Sequence, residues 1–191
     1  VRPDPIQPRR ILPERIHQEF HQQRLSPAQA LKELITIAQV HARTAGRPFS
    51  NPFELLGDLQ ADENEASEEA AALTFSTEEQ LLHDLVQLAS TLQDDGQVNP
   101  LTVVNVSQGV TTQYMIETGE RRYWATWLLR DFHPAYTHDG KIPCLVVPTE
   151  KSSPFRQAKE NTSRAGLNAI AMARQIALLL LHVHGYEMPT G

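Results

Sequence analysis

The hydrophobic pattern changes period near Asp95-Gly96, and that change excludes both an all-helical and an all-strand fold. Upstream, Leu31, Leu34, Ile35, Ala38 and Ala42 recur every three to four positions, as do Leu81, Leu82, Leu85, Leu88, Ala89 and Leu92. That spacing puts each set on one face of a helix. Downstream, NPLTVVNV (99–106) and QYMIE (113–117) are short, rich in strand-forming residues and separated by a glycine-containing turn. They read as two strands.

Punctuation agrees with the periodicity. Ser26-Pro27 supplies an N-cap followed by proline at the first helical position, and Gly46 is a C-terminal stop. Thr77 with Gln80 predicts a capping box for the second helix. The segment 120–131 (ERRYWATWLLRD) is helical, with Trp124, Trp127 and Leu128 expected in the core, and IPCLVV (142–147) is a third strand. Two more helices are expected at about 154–160 and 167–184, the latter carrying Ile170, Ala173, Ile176, Ala177, Leu180 and Leu181 on one face. Strands scattered among helices without regular βαβ alternation predict an α+β domain.

Two stretches resist regular structure. Residues 1–15 hold four prolines, a density that permits only an extended edge or loop. Opening on Val1 without Met, this segment reads as excised from a longer chain. Residues 47–76 contain Pro48, Pro52 and Gly57 and then the self-repelling run DENEASEEAAA, expected to be an exposed insertion, either a solvated loop or a marginal helix.

Charge narrows the function. Residues 1–47 carry a net +4, residues 48–120 hold 14 acidic side chains and no Lys or Arg, and residues 121–191 carry +4. A chain with such a middle block is a poor wrapper of nucleic acid by bulk electrostatics. An anion should be met only where arginines gather. The single Cys144 excludes a disulfide framework or Cys-based zinc module and suits a reducing cytoplasm. The longest apolar run, 176–181, is far below the roughly 20 residues of a membrane span.

Arginines gather at three places. In Thr118-Gly119-Glu120-Arg121-Arg122, a glycine joins a strand to a helix whose first amides favour anions. Two arginines there oppose the helix dipole but match the oxygens of a polyphosphate. The alternative is a glycine turn with surface arginines paired to acids such as Glu117. Glu160-Asn161-Thr162-Ser163-Arg164 brings a carboxylate, an amide and a guanidinium together, as a magnesium–phosphate group would need. The alternative is a helix end with an ion pair. Gln7-Pro8-Arg9-Arg10 presents arginines on a stiffened backbone, or is simply a surface loop. His17 and His21 are four apart but lack an evident third metal ligand. No Walker loop, dinucleotide fingerprint or nucleophile elbow is present.

In order and spacing these segments resemble the N-terminal domain of the ParB family of partition proteins. PDPIQPRR resembles the family's extended opening motif. LVQLASTLQDDGQVNPLTV resembles its leucine-rich helix and the Gly-x-x-Gln-Pro-x-x-Val segment, with Asn99 where the family has Gln. TGERRYWA resembles the arginine box, and IPCLVV with ENTSRAGLNAIAMA resembles the closing strand and the Glu-Asn-x-x-Arg box. The resemblance covers about residues 1–15 and 81–180.

It implies the ParB/sulfiredoxin-like fold, a small mixed sheet packed with helices. The domain would occupy 1–166 with an insertion at about 16–76, and 167–191 would begin a helix-turn-helix region. It also implies CTP with magnesium, slow hydrolysis and a nucleotide-gated clamp on DNA. By matching position, Gly119, Arg121 and Arg122 would hold the triphosphate and Arg164 would complete the phosphate contacts. Glu120 and Glu160 would organise hydrolysis, with Glu160 and Asn161 nearest the metal, and Gln7 and Arg9 would lie toward the base. The full-length protein is expected to be a cytoplasmic, nucleoid- or plasmid-associated homodimer without a membrane partner. These 191 residues are expected to bind DNA weakly and without selectivity. Sulfiredoxin chemistry is excluded, because no cysteine stands in the Gly119-Glu120-Arg121 loop. A nuclease, a nucleotide-dependent small-molecule kinase and a non-catalytic interaction module remain alternatives.

Overall fold

Ser26 Oγ accepts the Gln29 amide proton, while the Ser26 amide donates to Gln29 Oε1, closing a capping box. With Pro27 at the first helical position, a helix starts where the sequence places one. It belongs to a computed structural model that describes residues 1–7, 10–57, 75–96, 99–107, 110–136, 141–148 and 169–186. Among these the fold is α+β, and the chain forms two compact units.

One unit, residues 12–98 and 121–141, is helical. It holds α1 (Glu14–His21), α2 (Pro27–Thr44), a 3-10 turn at Pro52–Glu54, α3 (Thr77–Asp95), and α4 (Glu120–Phe132) from its second residue onward. α2 packs on α1 and α3. Leu31, Leu34, Ile35, Ala38 and Ala42 are all buried, as the period predicts. On α3, Leu82, Leu85 and Ala89 are buried with Val86, while Leu81, Leu88 and Leu92 are half-buried. Burying a leucine side chain stabilises by about 1.5–3 kcal/mol, so these faces hold the helices together. Phe20 meets Trp124 edge-on at 5.1 Å, bringing α1 to α4.

Three sequence expectations need correction here. Proline density does not extend the chain as far as residue 15, because α1 begins at Glu14 directly after Pro13. A proline that precedes the first turn removes no intrahelical hydrogen bond. The capping box of α3 is Ser76 with Glu79, one residue earlier than Thr77 with Gln80. Ser76 has the extended backbone a cap requires, and Thr77 is already helical. Trp124 is core, but Trp127 is half-buried beneath the Arg130 guanidinium, 3.5 Å from its ring centroid.

The other unit, residues 1–11, 99–120 and 142–191, holds the sheet. Its strands are β1 (Arg2–Pro3), β2 (Leu101–Asn105), β3 (Tyr114–Thr118) and β4 (Cys144–Val147), in the order β1-β3-β2-β4. β2 runs antiparallel to β3 and parallel to β4, and β1 runs parallel to β3 with Pro3 opposite Ile116. Central β2 buries Leu101, Val103 and Val104, a near-continuous apolar run fitting a strand covered on both faces. Proline-bearing β1 lies at an edge, where a missing N–H is tolerated. α5 (Ala169–Val183) also belongs to this unit. Its expected apolar face is largely exposed at Ile170, Ala173, Ile176, Ala177 and Leu180, whereas Ala171 and Gln175 are buried. The acidic run from residue 62 and the helix expected at 154–160 lie outside the described residues.

Candidate functional site

β3 ends at Thr118, which pairs with Thr102 on β2. Gly119 follows at φ 98°, a backbone state that side-chain-bearing residues rarely adopt, and Glu120 then begins α4. The strand therefore passes into the helix within one residue. Within the sheet unit, Glu117 and Glu120 are both buried, at 2% and 7% exposure. A carboxylate at the start of a helix is favoured by the dipole, which helps Glu120 tolerate burial.

Gln7 lies in the same unit, beside the end of β3. The Asp4 side chain accepts the Ile6 amide proton at 3.0 Å, and the Asp4 carbonyl accepts that of Gln7 at 3.3 Å, so the chain turns directly after β1. That turn lets Gln7 Nε2 donate to the carbonyls of Ile116 at 3.2 Å and Glu117 at 2.6 Å. Buried, with its amide engaged by main chain, Gln7 ties the opening segment to the strand that leads to Gly119. Its observed contacts are thus structural.

In the helical unit, Arg121 and Arg122 are half-buried in the first turn of α4. Arg121 Nη2 reaches Asp84 Oδ2 on α3 at 3.3 Å. Within the helical unit, the acid that pairs with Arg121 is thus Asp84. Sequence inspection missed this residue because 37 positions separate the two and nothing local marks the pair. Arg122 places its carbonyl under Thr126 Oγ1 at 2.9 Å. Arg9, Glu160, Asn161 and Arg164 lie outside the described residues.

A glycine turn feeding a helix start with two guanidinium groups suits an anion with several oxygens, since amides and arginines both donate. Among the described residues, no group of three or more His, Cys, Asp or Glu is placed to hold a metal ion. The rings of His17 and His21 stand 4.3 Å apart on α1. Cys144 donates its thiol to the Ile142 carbonyl at 3.3 Å, and burial pushes its pKa up. A thiol held protonated is a poor nucleophile. Among the described residues, no helix is long and apolar enough to cross a membrane. No protein-family model matches the chain, and comparison with curated proteins and with solved structures found no significant match.

Proposed function

We propose that the chain is a ParB-like domain, of the ParB/sulfiredoxin-like fold, that binds CTP with magnesium and uses it to gate a clamp on DNA. The observation that carries this reading is the one-residue turn at Gly119, which ends β3 and opens α4 on Glu120, Arg121 and Arg122. Such a segment has the donors a triphosphate needs. Glu160 and Asn161 offer the hard oxygen atoms magnesium takes. Arg164 adds a further cation for the phosphates, and Arg9 is the contact toward the base, with Gln7 anchoring the segment that carries it to β3. Magnesium would supply charge neutralisation of the phosphates. Glu120 and Glu160 are the residues assigned to slow hydrolysis, and nucleoid or plasmid association follows from the same reading.

Calorimetry with CTP, ATP, GTP and UTP, each with magnesium, tests it. CTP is expected to bind selectively, and Arg122→Ala to weaken it about ten- to hundredfold, the loss for a charge-assisted hydrogen bond. Absence of binding by every nucleotide sinks the reading. It would promote a non-catalytic interaction module, which the exposed Ile176, Leu180 and Val183 of α5 favour.

A further inference from the structure

Asp84 occupies the position from which a carboxylate can compete for Arg121. It lies one turn after Gln80 on α3, and Gln80 Nε2 donates to Asp84 Oδ1 at 2.9 Å. The other oxygen, Oδ2, is the one that meets Arg121 at 3.3 Å. Gln80 thus orients the carboxylate, while the guanidinium is held through a single nitrogen rather than by the stronger two-point fork. The two side chains are 38% and 40% exposed, so water can replace either partner and another anion can replace the carboxylate. Asp84 also stands in the wall of an open depression of about 560 Å³, lined by Phe75, Ser76, Thr77, Gln80 and Leu81.

Arg121 sits at the positive end of α4, where a cation is unfavourable unless an anion lies near. Asp84 supplies that negative charge within the protein. A phosphate drawn to Arg121 must either displace the carboxylate or settle beside a like charge, and both lower its affinity. We propose that Asp84 is an internal competitor for Arg121 and sets the affinity of the anion site. The proposal rests on the nucleotide reading above and names the residue that tunes that site.

Calorimetry on the full chain, with CTP–magnesium and separately with inorganic triphosphate, is the test. Asp84→Asn is expected to bind both about three- to fivefold tighter, the scale of a half-exposed ion pair. Asp84→Glu keeps the charge and should stay near wild type. In an Arg121→Ala background, Asp84→Asn should change nothing, because the two residues act through one contact. Asp84→Ala repeats the charge removal if the amide disturbs α3, and thermal melts verify that each variant is folded. Asp84→Asn and Asp84→Ala binding like wild type, or more weakly, overturns the proposal and leaves the nucleotide reading intact. If wild type and all variants bind neither ligand, both fall.

Discussion

Cys144 illustrates how a residue's surroundings decide its chemistry. Its thiol donates to the Ile142 carbonyl, and desolvation raises its pKa above the ordinary 9.0. The folded chain therefore holds this proton more tightly than the unfolded chain does. The resulting stabilisation is complete well below the ordinary value and is lost as pH rises through the higher folded value. Alkylation by iodoacetamide should be slow near neutral pH in the native protein. Its midpoint, read from rate against pH, should lie higher for native than for urea-unfolded protein. A native midpoint at or below the unfolded one would contradict the assignment. Asp84 and Arg121 show the reverse case, where half-exposed charges remain free to exchange partners.

At the scale of elements, the cap of α3 separates pattern from geometry. Ser76→Ala should cost about 1 kcal/mol, the usual loss of a capping hydroxyl, whereas Thr77→Ala should stay within about 0.5 kcal/mol. Urea titration of the two variants distinguishes them, and the opposite ranking would restore Thr77 as the cap. Helices α2, α3 and α4 were legible because each announces itself within a dozen residues, by period or by cap. So were β2, β3 and β4, through their β-branched runs and flanking turns, whereas β1 was readable only as part of an extended edge or loop. α1 escaped notice because Pro13 and the sequence beside it resemble loop, although Ile16 and Phe20 carry a helical face. In the candidate site, Gly119, Glu120, Arg121 and Arg122 were readable as one consecutive run. Asp84 was not, since a contact across 37 residues is set by the tertiary fold and leaves no mark in local spacing. Nor did the residue type of Gln7 reveal that its amide would bind the carbonyls of β3.

Over the whole molecule, charge is unevenly distributed along the chain, with every Lys and Arg outside residues 48–120. A gel shift with duplex DNA should show only weak, unselective retention, abolished by about 0.15 M salt, because few phosphates can be neutralised at once. A tight complex that survives unlabelled competitor of unrelated sequence would overturn that expectation. The sheet has a further consequence, concerning the order in which the protein comes into being. Gln7 is bonded to residues 109 and 110 positions later, and among the described residues β1 pairs with β3 alone. During synthesis β1 must therefore wait until residue 118 has been made, and central β2 waits longer still for β4. Helices α1, α2 and α3 are all translated within that interval, with local contacts that need no distant partner. Of the four strands β1 is made earliest, and it is among the last elements that can find their place.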